Sequence, residues 1–129
     1  MVIDTSALVA IILAEPSREA VLDAIGVAKV RIVSAISLLE AGMVLRARVG
    51  EATKLTVLLK ELGVQIVPFD ETQARLAITA FGRFGKGMGR RGQLNFGDCA
   101  VYALAAASGE PVLATGRDFA ATDLTVIRP

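Results

Sequence analysis

Four carboxylates stand apart from the other charges of this chain by their company. Asp4, Glu40, Asp98 and Asp118 each lie in an apolar or glycine-rich stretch. Each falls at the end of an expected element or on an otherwise greasy helix. A carboxylate buried without compensation costs several kcal/mol, or its pKa climbs until it is neutral. Several that converge are most simply reconciled by a divalent cation, and an all-oxygen donor set suits Mg²⁺ or Mn²⁺.

The rest of the composition narrows the chemistry. Histidine is absent, which removes Ser-His-Asp and Cys-His nucleophile systems and the usual zinc hydrolases. Cys99 is the only cysteine, so there is no internal disulfide and no zinc site of thiolates. One thiol fits a reducing cytosol, and the expectation is a cytoplasmic protein. Carboxylates, metal and water must then carry any catalysis.

Each acid also has an ordinary explanation. Asp4 precedes Thr5 and Ser6, a common place for a helix cap. Glu40 could be a solvated helical residue, but Ile36, Met43 and Val44 surround it on the helical wheel, with Arg46 and Arg48 further outward. Asp98 falls in the first turn of a helix, where the dipole favours it, and Asn95 is the better cap. Asp118 could be a turn residue paired with Arg117.

The elements that must position these residues follow from periodicity and caps. Strands are expected over 2–3, 30–33, 64–69, 112–114 and 124–127. Helices are expected over 7–13 with Ser6 as cap, 18–28, 35–49 between Ser34 and Gly50, 52–62, 72–84 and 96–108, with a turn or short helix over 118–121. Alternating short strands and long helices imply right-handed βαβ units: an α/β domain with a small parallel sheet flanked by helices on both faces. Sites in such sheets lie beyond the carboxyl ends of the strands, where Asp4 and Asp118 fall.

At 129 residues the chain reads as one domain, 1–129. Apolar residues make up 53%, and mean hydropathy is +0.57. Aromatic residues are 5% and Trp is absent, so the core must be aliphatic. So apolar a short chain also suggests that some of it covers a partner. The longest uncharged stretch near the start, 5–14, is too short to span a membrane. Net charge is +1, which says nothing about nucleic acid, but Arg75, Arg83, Lys86, Arg90 and Arg91 fall between Glu71 and Asp98 with no acid among them. Residues 85–93 hold four glycines and read as a loop with little intrinsic order. Its Lys86, Arg90 and Arg91 could clamp a phosphate backbone or meet an acidic partner segment.

The opening Val2-Ile3-Asp4-Thr5-Ser6-Ala7-Leu8 resembles that of PIN-domain nucleases, in particular VapC-type toxins of bacterial toxin–antitoxin systems. Ser34-Ala35-Ile36-Ser37-Leu38-Leu39-Glu40, Leu94-Asn95-Phe96-Gly97-Asp98-Cys99 and Leu113-Ala114-Thr115-Gly116-Arg117-Asp118-Phe119 resemble the family's later motifs, in order. The resemblance implies a three-layer PIN-like fold and metal-liganding, catalytic roles for Asp4, Glu40, Asp98 and Asp118. It implies supporting polar roles for Ser6, Asn95 and Thr115. It implies an endoribonuclease using Mg²⁺, with Mn²⁺ able to substitute, that leaves a 5′-phosphate and a 3′-hydroxyl. A homodimer and a cognate antitoxin are implied as partners. One departure is Arg117, where many relatives carry a further Asp or Asn; it could neutralise Asp118 or reach a substrate phosphate.

Other readings fit less well. A receiver-like regulatory domain needs a phosphoacceptor Asp at the end of its third strand, near which Asp70 falls, and a Lys at the end of its fifth, and no Lys follows Lys86. A phosphatase of the Asp-x-Asp kind needs a second Asp where Ser6 stands. A catalytically inactive scaffold that only binds a partner is the remaining alternative, and Arg117 is its motive.

Overall fold

A computed structural model describes residues 1–89 and 91–129. Five short strands, β1 (Val2–Ile3), β2 (Ile32–Ser34), β3 (Gln65–Val67), β4 (Val112–Leu113) and β5 (Val126–Ile127), form one sheet in the order β3-β2-β1-β4-β5. Every pairing is parallel, as βαβ connections demand. Among the described residues six helices cover it: α1 (Thr5–Ile12), α2 (Arg18–Val27), α3 (Ala35–Val49), α4 (Thr53–Glu61), α5 (Glu71–Phe84) and α6 (Phe96–Ser108).

Alternation along each strand divides the core in two. Ile3, Val33 and Leu113 point to one face and pack with Leu8, Ile11, Val21, Ile25 and Leu45. Val2, Ile32 and Val112 point to the other and pack with Leu94, Val101, Tyr102 and Leu104. The result is the expected three-layer α/β sandwich with a largely aliphatic core. Among the described residues no helix is long and apolar enough to cross a membrane.

One expectation needs correction: Asp4, not Ser6, is the N-cap of α1, which therefore starts at Thr5. The 85–93 segment is a loop, as expected, and is closed at its base. The Lys86 N–H donates to the Leu94 carbonyl, and the Gln93 and Leu94 N–H groups donate to that of Phe84. A methyl at Gly92 would stand 2.8 Å from the Met88 carbonyl oxygen and closer still to that of Gly85. Glycine is what lets the loop fold back on itself.

The chain runs outward from β1 through β2 to β3, then returns to place β4 on the other side of β1. Strand order thus reverses between β1 and β4, where open α/β sheets leave a crevice at their carboxyl edge.

Candidate active site

The crevice at the reversal is built from the ends of β1 and β4. The Asp4 N–H donates to the Leu113 carbonyl at 3.0 Å, the last rung of the β1–β4 ladder. Beyond it the Asp4 side chain turns back to cap α1, and its Oδ2 accepts from the Ser6 N–H at 2.9 Å and the Ser6 hydroxyl at 2.5 Å. The Ser6 Oγ in turn accepts from the Thr115 N–H at 3.1 Å, just past β4. Ser6 therefore ties the two strand ends together through one hydroxyl.

α3 and α6 deliver two more acids. The Ser34 hydroxyl caps α3, accepting from the Ile36 N–H, and the helix carries Glu40 into the crevice. The Thr5 hydroxyl donates to Glu40 Oε2 at 2.8 Å. α6 begins with a reciprocal cap: Asn95 Oδ1 accepts from the Asp98 N–H at 2.9 Å, and Asp98 Oδ2 accepts from the Asn95 N–H at 2.8 Å. Asn95 is the N-cap as expected, and Asp98 joins the cap with one oxygen while keeping its place in the crevice. Gly97 explains how Glu40 fits there. A methyl at that position would stand 2.9 Å from Glu40 Cδ and closer still to Oε2.

Asp4, Glu40, Asp98 and Asp118 all line one cavity of about 280 Å³, with Ser6, Asn95 and Thr115. Asp4 and Asp98 are buried, Glu40 is half-buried, and Asp118 lies exposed on the turn after β4. Burial and the Glu40 charge push the Asp4 carboxyl above its usual value, against the hydrogen bonds of Ser6. Burial, with the charges of Asp4, Asp118 and Glu40, raises Asp98 to about 6, against the Asn95 N–H. Among the described residues none of the four takes part in an ion pair; the pairs found join other acids. Arg117 thus does not neutralise Asp118. Among the described residues no three acidic or thiol side chains stand close enough to hold an ion as they are.

The cavity also holds residues that sequence reasoning passed over. The Thr5 hydroxyl and Gly97 both act on Glu40, contacts between distant segments that no local pattern reveals. Arg48 and Glu15 line the rim and approach each other at 3.8 Å. Arg48 is exposed, as its outward position implied, and Glu40, Val44 and Arg48 follow at intervals of four and share one helix face. That spacing was the missed signal.

The predicted basic contacts separate. Arg91 and Arg117 line a second cavity of about 810 Å³ with Arg83, Phe84, Met88 and Gln93. Lys86 is exposed and lines neither cavity. Arg90 lies outside the described residues. Asp123 pairs with Arg83 at 2.9 Å and accepts from the Tyr102 hydroxyl at 2.7 Å.

Comparison with known proteins places this geometry. The family model described as PIN domain matches residues 1–124. A ribonuclease VapC of Mycolicibacterium smegmatis is 44% identical, over 98% of this chain and 99% of the relative. Ribonuclease VapC30 of Mycobacterium tuberculosis is 42% identical, over 98% of each. Among solved structures, Mycobacterium tuberculosis VapC20, a sarcin-ricin loop cleaving toxin, superposes with a TM-score of 0.78 at 19% identity, covering 99% of this chain and 98% of that one. VapBC2 from Rickettsia felis, bound to a DNA fragment from its promoter, gives 0.74 at 17% identity, covering 98% and 96%. With a three-layer parallel fold, four acids at its reversal point and full-length relatives of one kind, the chain belongs to the PIN domain family, among its VapC members.

Proposed function

We propose that this protein is a Mg²⁺-dependent endoribonuclease toxin that hydrolyses RNA phosphodiester bonds and is neutralised by a cognate antitoxin. One observation carries the reading: four carboxylates share a cavity in which, among the described residues, no protein cation pairs with them. Left so, the cavity would repel a phosphodiester. A hard dication fits the donor set, which is oxygen throughout and contains no His or Cys ligand. The full-length relatives named ribonucleases support the same activity.

In this reading Asp4, Glu40 and Asp98 hold the cation, and Asp118 completes the set from the open side. A bound Mg²⁺ supplies an acidified, oriented water and offsets charge on the phosphate. The chain's own work is positioning. Ser6 fixes the Asp4 carboxylate and the Thr115 backbone at once. Asn95 fixes Asp98, and Thr5 with Gly97 fixes Glu40. Asp98 must release a proton held up to about pH 6 before it can ligate.

Partners follow from the surface. Leu39 and Met43 are exposed beside the groove between α3 and α4, while Ile78, Phe81 and Phe96 are exposed between α5 and α6. Two such apolar faces are what a second copy and an antitoxin would cover.

Purified protein is tested on RNA with Mg²⁺, with Mn²⁺ and with chelator, alongside Asp4→Asn and Asp98→Asn. Cleavage with either metal, giving 5′-phosphate ends, and its loss in the other arms are expected. Cleavage that survives chelator and both substitutions overturns the reading.

A further inference from the structure

The larger cavity, about 810 Å³, adjoins the acidic one through consecutive residues: Arg117 lines the first and Asp118 the second. Its volume lies in the range of clefts that hold small ligands, roughly 300–1,000 Å³. Two of its walls differ in kind. Arg91 and Arg117 are exposed and, among the described residues, belong to no ion pair. Arg83 is the opposite case. Its guanidinium lies 4.5 Å over the Phe84 ring and pairs with Asp123 at 2.9 Å, with the Tyr102 hydroxyl at 3.5 Å. Asp123 is itself fixed by Tyr102, whose ring lies 5.7 Å from that of Phe84.

Arg83 is therefore backed on one side by an aromatic ring and held by a carboxylate. Its charge is already offset, yet about half its side chain (53%) is exposed and lines the cavity. A guanidinium plane so fixed is a stacking surface for an unpaired base. The two unengaged arginines are suited to the phosphates on either side of that base.

We propose that this cavity is a subsite for a nucleotide of single-stranded RNA flanking the scissile phosphate, its base on the Arg83 guanidinium that Phe84 backs and its phosphates on Arg91 and Arg117. The proposal rests on the ribonuclease reading of the neighbouring acidic cavity. It assigns different work to residues of like charge: Arg91 and Arg117 act through charge, Arg83 through shape. It also makes Asp123 and Tyr102 positioning residues that keep the plane in place.

The test uses the full chain with Asp98→Asn to block cleavage, in chelator. The probe is a fluorescent, random-sequence, single-stranded RNA of about ten nucleotides, within the usual span of single-strand sites. Affinity is measured by anisotropy over a range of salt. Arg91→Ala and Arg117→Ala are each expected to weaken binding and to flatten the slope of log affinity against log salt by about 0.7, one phosphate contact on a single strand. Arg83→Lys is expected to lose about tenfold in affinity with the slope unchanged, because charge is kept and the stacking plane is lost. Fully paired RNA of the same length should bind these proteins alike. Unchanged affinity and slope in both Arg91→Ala and Arg117→Ala overturn the proposal, even if the wild type cleaves RNA. A wild type that cleaves nothing with Mg²⁺, yet binds single strands in this arginine-dependent way, overturns the nuclease reading and leaves the subsite standing.

Discussion

Asp98→Asn is expected to make the metal-free protein more stable at alkaline pH, although it removes a residue of the site. Asp98 is only 8% exposed, and burial with three neighbouring acids lifts its pKa from 3.8 to about 6. A raised pKa means that the folded chain holds this proton more tightly than the unfolded chain. Its stabilising contribution is complete below pH 3.8 and is lost as pH rises through about 6. At ~1.4 kcal/mol per pKa unit the full loss is about 3 kcal/mol. The cavity opens to water, and screening reduces this to about 1–2 kcal/mol. Asn removes the charge, and its amide oxygen can still accept from the Asn95 N–H, so the cap of α6 survives. Urea unfolding in chelator should show the variant about 1–2 kcal/mol more stable than wild type at pH 8 and equal to it near pH 3.5. Saturating Mg²⁺ should reverse the order, since a ligand at 100 times its Kd stabilises by about 2.7 kcal/mol and the variant lacks a ligating carboxylate. A variant less stable than wild type at pH 8, or one that Mg²⁺ stabilises equally, would refute the reasoning.

Gly97→Ala should displace the Glu40 carboxylate and lower kcat by at least tenfold while the protein stays folded, as circular dichroism would confirm; full activity would show that Glu40 has room to spare. Thr5→Val deletes the donor to Glu40 Oε2 with little change of volume, and should cut kcat by about tenfold, leaving KM nearly unchanged. Cleavage rate should rise with pH as Asp98 ionises, and its midpoint should move further below 6 as Mg²⁺ is raised, because cation and proton compete for one carboxylate; a midpoint indifferent to Mg²⁺ counts against that competition. Asn95→Ala should cost about 1 kcal/mol of stability from the lost cap, read as a lower urea midpoint.

Where local chemistry decides, the primary structure was easy to read. Ser34 and Gly50 bound α3 where expected, and Asn95 and Gly109 bound α6, because caps act within a few residues. Strand ends were less legible: 64–69 shortened to Gln65–Val67 because pairing with β2 alone sets that edge strand. The four acids could be picked out because carboxylates in apolar company are costly wherever the chain folds. What positions them could not. Thr5 meets Glu40 across 35 positions, and Ser6 meets Thr115 across 109. Neither contact leaves a periodic trace. Arg48 was legible as an outward residue, and its spacing from Glu40 also placed it on the site's face.

Crystals soaked in Mn²⁺ and measured for anomalous scattering would locate the cation directly. One strong peak within about 2.0–2.6 Å of oxygens from Asp4, Glu40 and Asp98 is expected, absent from Asp98→Asn crystals. A soaked crystal with no peak in that cavity, or with its peak elsewhere on the surface, would contradict the idea that these carboxylates exist to grip a dication.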